Sequence, residues 1–231
     1  WPPMVRAQGK HAAPPLQPGQ ALQCRRRVVS CSSVKFTEVP MGKSPILTGT
    51  RVLLRPPRPD DVKGRVALGR DPEIARMFGA ILPGPLPVTE EEAADWLDHL
   101  TLQEHGWMIE LDGRLIGSVF LHGLDPVDRR ARLALGILAR DCLGQGLGRE
   151  VVRLVLGHAF GPLALHRVDV RVLDFNDRAR RCYLACGFVE EGRERQSARV
   201  GEEWHDDIIM GVLAGEIVGV ASLSGPIARH T

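Results

Sequence analysis

Several signals that would fix a class outright are missing from this chain of 231 residues. No run approaches the roughly 18–20 uncharged apolar residues that a membrane-spanning helix needs. The longest candidate, 217–228, is short and is broken at Gly225-Pro226. A secretory signal is absent too, because residues 11–23 are rich in Pro and Gln where an apolar core would be required. The five cysteines (Cys24, Cys31, Cys142, Cys182, Cys186) are odd in number and form no CxxC pair. They suit a reducing compartment better than a disulfide framework, so a cytoplasmic location is expected. The eight histidines contain no HExxH spacing, and no metal is expected. A net charge of only +2 gives no general grip on nucleic acid. Neither nucleic acid nor membrane is expected as a partner.

What is present is ordinary for a globular chain, with 44% hydrophobic and 25% charged residues. The charge is unevenly spread. Residues 1–40 hold six Lys/Arg against the single acid Glu38, so the remainder is slightly acidic. That stretch also holds six prolines, and it opens at Trp1, which is not an initiator residue. The expectation is a processed product, a fragment or an over-extended frame, with Met41 as the start and 1–44 as a poorly ordered leader. A domain over 45–214 and a tail over 215–231 complete the division, and 216–223 either adds a strand or stays loose.

From Thr50 onward the pattern is periodic. Residues 51–55 read as a strand ended by Pro56 and Pro57. Asp60 or Asp61 is expected to cap a helix to Leu68, and Asp71-Pro72-Glu73 to cap a second. Thr89 and Glu92 form a capping box that opens a helix to about His105, with Ala93, Trp96, Leu97 and Leu100 inward. Strands over 107–111 and 114–121 flank Asp112-Gly113, the chemistry of a two-residue hairpin. A strand over 132–138 leads through a Gly-rich turn into a helix with Val151, Val152, Val155, Leu156, Ala159 and Phe160 on its inner face. A strand over 167–173, a helix over 176–186 and a hairpin of 188–199 with 203–213 follow. The expected fold is α/β (α+β), a single domain around a mixed, mostly antiparallel sheet of about seven strands with helices on both faces.

Two local features carry chemistry. Leu143-Gly144-Gln145-Gly146-Leu147-Gly148 stands between a strand and a long helix. Glycines let a ligand approach the backbone, and the free N–H groups and dipole of a helix start suit a phosphate or pyrophosphate. Arg149 adds charge in the first turn, although a plain tight turn would read the same way. No Gly-Lys-Ser/Thr follows, and the preceding unit is antiparallel, so neither a P-loop nor a dinucleotide fingerprint fits. The second feature, Asn176-x-x-Ala179-x-x-x-Tyr183, places three side chains near one helical face. Asn176 either caps the helix or donates to a ligand. Tyr183, the sole tyrosine against six phenylalanines, offers a phenol as proton donor to a departing thiolate.

Together these features resemble the GNAT superfamily of acyl-CoA-dependent N-acyltransferases. The strand 134–138 with the glycine turn is similar to its pyrophosphate motif, and Asn176 to Phe188 to the motif that holds the pantetheine arm and the thiolate acid. Residues 50–55, Leu165-His166-Arg167, Glu191-Gly192, Gly201, Trp204, Asp206 and Met210 are similar to the RimJ/RimL-type branch. The resemblance implies acetyl-CoA as co-substrate, bound by Ile137, Leu138, Leu143, Gly144, Gln145, Gly146, Leu147, Gly148, Arg149 and Asn176. It implies direct amine attack through a tetrahedral intermediate, an N–H near Ile137–Leu138 polarising the thioester, and Tyr183 protonating the CoA thiolate. A homodimer is also in keeping with the branch.

Two departures stand out. Leu143 occupies a turn position where the superfamily usually has Gln or Arg, and no acid lies between Asp128 and Asp141 where many members place a base. His122, Asp128, Glu190, His205 and Asp206 are the candidates for a proton relay. An α-amine of pKa about 8 is neutral in about one molecule in ten at pH 7, against about one in 2,500 for a lysine-type amine. A site without an evident strong base therefore favours the N-terminal α-amine of a protein or peptide. The alternatives are a small amine, such as a polyamine or an amine-bearing antibiotic, and a non-catalytic acyl-CoA-binding module.

Overall fold

The computed structural model of the protein describes residues 44–217, so the expected leader up to residue 43, with Cys24 and Cys31, and the tail beyond Ile217 lie outside the described residues. Ser44, at the end of that leader, is buried. Eight strands form one sheet: β1 (Leu47–Thr48), β2 (Val52–Arg55), β3 (His105–Leu111), β4 (Arg114–Asp125), β5 (Arg130–Ile137), β6 (Arg167–Leu173), β7 (Val189–Val200) and β8 (Glu203–Leu213). The helices are α1 (Asp61–Leu68), α2 (Pro72–Met77), α3 (Glu90–Thr101), α4 (Leu147–Phe160) and α5 (Asp177–Leu184). Strand order is β1-β2-β3-β4-β5-β6-β8-β7, and every neighbouring pair is antiparallel except β5–β6. The eighth strand, beyond the seven expected, is the two-residue β1, too short to leave a period-two pattern.

Alternation along the strands decides the two faces. On one face Leu133, Val168, Val170 and Met210 bury against Val151, Val152, Val155, Leu156 and Ala159 of α4. On the other, Met108, Leu115 and Phe120 pack with Leu97 and Leu100 of α3. The apolar spacing in α3 and α4 matches these contacts, although Phe160 and Trp96 are only half-buried. Asp112 and Gly113 both take positive φ, 49° and 78°, as the two-residue hairpin turn demands.

Two local expectations fail for tertiary reasons. Asp60 is the N-cap of α1, but its side chain makes no capping bond. Asp61 is instead spent on Arg55, which donates to it from Nη1 at 2.9 Å and Nη2 at 2.7 Å, in a pair that is buried. Helix α3 stops at Thr101 rather than His105, because His105 is already paired with Leu121 at the start of β3. Ala214–Glu216 is a 3₁₀ turn, and 218–223 of the expected strand or loose segment lie outside the described residues. Among the described residues no helix is long and apolar enough to cross a membrane.

Candidate active site

Strands β5 and β6 pair only through Arg130–Arg132 and Arg167–Asp169. Beyond that point they part, and a cleft of about 1160 Å³ opens between them. Its walls are the ends of β5 and β6, the starts of α4 and α5, Ile74 and Met77 of α2, and Phe78 just beyond it. Among the described residues the only parallel pair in the sheet is thus also its weak seam. A wedge of this kind exposes backbone groups that no neighbouring strand satisfies.

At one end of the cleft stands the start of α4. Its N-cap is Gly146 at φ 80°, ψ 1°, and no side chain caps it. Gly144 also has positive φ, 74°, a conformation that only glycine adopts at little cost. A Cβ at Gly146 would meet Arg149 Nη2 at 3.0 Å, and one at Gly148 would meet Cys182 Sγ at 3.3 Å, so the turn fits tightly between α5 and the guanidinium. Arg149, Arg178 and Arg181 also line the cleft. Free N–H groups, a helix dipole and arginines together are the elements that could hold an anion. Arg51 holds this turn from the far side: its Nη1 donates to the Gln145 carbonyl at 3.0 Å and its Nε to Glu150 at 3.1 Å. Its sequence neighbours could not reveal that role, since the contacts span more than ninety residues.

Helix α5 forms the adjoining wall. Asn176 caps it, accepting from the Ala179 N–H at 3.1 Å, and its amide reaches the Met77 carbonyl at 3.5 Å. Tyr183 is only 7% exposed yet lines the cleft, with its ring 5.3 Å from that of Phe188. Burial, reinforced by the thiols of Cys182 and Cys186, pushes its phenol well above the usual value. The hydroxyl therefore rests as a neutral phenol across the physiological range, with its proton available to donate.

At the other end the cleft meets a polar stretch of sheet. His122, Arg132 and Asp169 stand in register across β4, β5 and β6. Arg132 Nε donates to Asp169 at 2.6 Å. Burial, and then the charge of Arg132, lowers the His122 pKa, so its imidazole is neutral and its lone pair available. Asp207, in register with Leu173, lines the cleft and accepts from Ser197 Oγ at 3.0 Å.

Of the sequence-derived site residues, Ile137, Leu143, Gly144, Gly146, Leu147, Gly148, Arg149, Asn176 and Tyr183 line this one cleft. Leu138 and Gln145 do not. The Leu138 N–H is committed to the Ile116 carbonyl at 2.8 Å, so it is not a donor for a thioester. The Gln145 side chain folds back to donate to the Asp141 carbonyl at 2.5 Å. Among the relay candidates only His122 reaches the cleft. Asp128 faces Arg130, Glu190 pairs with Arg180, His205 lies against Phe175, and Asp206 pairs with Arg193. Asp207 is the acid that sequence reasoning missed, because alternation along β8 turns it to the face opposite Asp206. Among the described residues no group of His, Cys, Asp or Glu is placed to hold a metal ion.

A family model described as "Acetyltransferase (GNAT) domain" matches residues 51–189. A Bacillus subtilis (strain 168) protein, provisionally named ribosomal N-acetyltransferase YdaF, is 33% identical over 108 residues, which cover 47% of this chain and 58% of that protein. The spermidine N(1)-acetyltransferase of Vibrio cholerae is 36% identical over 78 residues, covering 34% of this chain and 44% of the enzyme. The chain thus spans about half the length of the curated relatives it matches. A solved structure of the V. cholerae spermidine N-acetyltransferase, in complex with CoA and spermine, superposes with a TM-score of 0.61 at 23% identity. It covers 72% of this chain and 98% of that one, a likeness of fold.

Proposed function

The chain belongs to the GNAT acetyltransferase family, and from that premise we propose that it transfers the acetyl group of acetyl-CoA to a primary amine, an N-terminal α-amine of a protein or peptide. The observation that carries this reading is the convergence of three features on one cleft. They are a parallel pair that splays after three residues, an uncapped helix start with three glycines, and a buried protonated tyrosine. The acetyl-CoA diphosphate is a dianion that matches the donors of Gly146–Gly148 and the charge of Arg149. The pantetheine arm would run along the free edge of β5 near Ile137, beside Asn176. Acetyl-CoA supplies the activated acyl group, and the protein supplies position and protons.

The amine enters from the polar side of the sheet. As the C–N bond forms, its nitrogen becomes acidic, and neutral His122 stands there to accept the proton. Tyr183 holds a phenolic proton beside the departing sulfur and gives it up as the C–S bond breaks. Replacing Tyr183 by Phe tests the assignment: turnover by thiol release should fall about a hundredfold, while acetyl-CoA still raises the melting temperature. Unchanged turnover would remove Tyr183 from the mechanism. Binding without turnover in the parent protein, whatever amine is offered, would favour an acyl-CoA-binding module instead.

A further inference from the structure

The acceptor end of the cleft carries more positive charge than an amine substrate leads one to expect. At the other end, where the diphosphate is placed, Arg178 pairs with Glu73 at 3.2 Å, and Arg149 and Arg181 are accounted for. Arg132 and Arg171 are not, for they stand on β5 and β6 among the groups that face the acceptor. Arg132 is tied through Nε to Asp169, which is buried and does not line the cleft, so its terminal amino groups remain as donors. Arg171 pairs with Glu194 at 2.7 Å, again a carboxylate outside the lining. Against these two guanidinium groups the cleft presents one carboxylate, Asp207.

On the acetyl-transfer reading, we propose that the acceptor is an amine with an anionic group a few bonds from its nitrogen, an acidic peptide N-terminus. Asp207 attracts the ammonium before it loses its proton, and the arginines hold the anion. A guanidinium fork binds a carboxylate through two parallel hydrogen bonds and so fixes the direction from anion to nucleophile. A polyamine finds the opposite: each further ammonium needs its own carboxylate, and here it meets Arg132 or Arg171 instead. Like charges placed together reject a partner more strongly than a missing contact does.

The test is selectivity measured by thiol release. Peptides with amidated C-termini are compared in matched pairs, Asp against Asn at the first residue and again at the second, with spermidine as the polycation. The acidic member of at least one pair should lead its amide by about tenfold or more in kcat/KM, as a charge-assisted pair contributes. Spermidine should trail both. Arg171→Glu should erase about tenfold of that lead, whereas Arg171→Lys, which keeps the charge but not the fork, should keep only part of it. If Arg171→Glu fails to fold, raising the salt concentration on the parent protein should narrow the same ratio. Equal rates for acid and amide at both positions, or spermidine as the best acceptor, would overturn the proposal and leave acetyl transfer standing. Thermal stabilisation by acetyl-CoA with no thiol released from any acceptor would bring down the underlying reading, and this one with it.

Discussion

Helices α3 and α4 meet the same problem, unpaired N–H groups in the first turn, and resolve it in opposite ways. At α3 the Thr89 hydroxyl accepts from the Glu92 N–H at 3.2 Å, and Glu92 accepts in return from the Thr89 N–H at 3.0 Å. Asp71 does the same for α2, taking the N–H groups of Glu73 and Ile74, and Asn176 does it for α5. Even α1, without a side-chain cap, has its first N–H groups bonded to the carbonyls of Arg58, Pro59 and Asp60. Helix α4 starts on a left-handed glycine, and no side chain closes it. At α4 the Arg149 N–H turns inward to the Gly146 carbonyl at 3.1 Å, but the start faces the cleft, and on the proposed function its remaining N–H groups are left for an external anion.

The largest effect should come from making α4 resemble α3. Gly146→Asp puts a carboxylate where the anion would sit, and Asp tolerates the left-handed backbone better than most residues. Acetyl-CoA affinity should fall about a thousandfold, roughly 4 kcal/mol, through lost charge-assisted bonds and direct repulsion. Stability without ligand should change far less. Calorimetric titration reads the first and denaturant melting the second; retained affinity would mean that the open helix start is not the anion site.

The far end of α4 offers the next contrast. His158 and His105 are buried with ring centroids 5.6 Å apart, and each keeps one ring nitrogen without a hydrogen-bond partner. Burial, and then the neighbouring His105, pushes the His158 pKa down to about 4; His105 is lowered by burial as well, against the pull of Glu104. The unfolded chain takes up these protons near pH 6.5, before the folded protein does. Stability is therefore full above about pH 6.5 and declines as pH falls toward 4, by about 3 kcal/mol for His158. Chemical denaturation at a series of pH values checks this, and His158→Phe should flatten the curve. A stability that rises on acidification across that window would refute it.

How far the sequence foretold these features depends on the range of the interactions behind them. The capping box, the Asp112-Gly113 turn, β6 and the inner face of α4 rest on contacts within a few residues or on simple periods, and all were readable. Asp61, drawn away from the helix cap by Arg55, and Arg51, clasping a turn more than ninety residues on, depend on tertiary neighbours that no local pattern encodes. The splay between β5 and β6 is of the same kind: periodicity marks a strand but not where its pairing stops. Asp206 and Asp207 show the finest limit, since one step along β8 moves a carboxylate from solvent-facing pairs into the cleft.

The smallest effect comes from opening the closed helix. Thr89→Ala removes the hydroxyl from the α3 box, strands the Glu92 N–H and should cost about 1 kcal/mol, a melting shift of about 2–4 °C. Acetyl-CoA affinity should not move, because α3 lies over Met108 and Phe120 on the face of the sheet away from α4. Introducing Thr89→Ala into the Gly146→Asp background should then give additive losses of stability, since the two helix starts share no partner. Coupling between them would mean that the caps act on one element. Independence would mean that the chain closes one helix for its own stability and leaves the other open to bind.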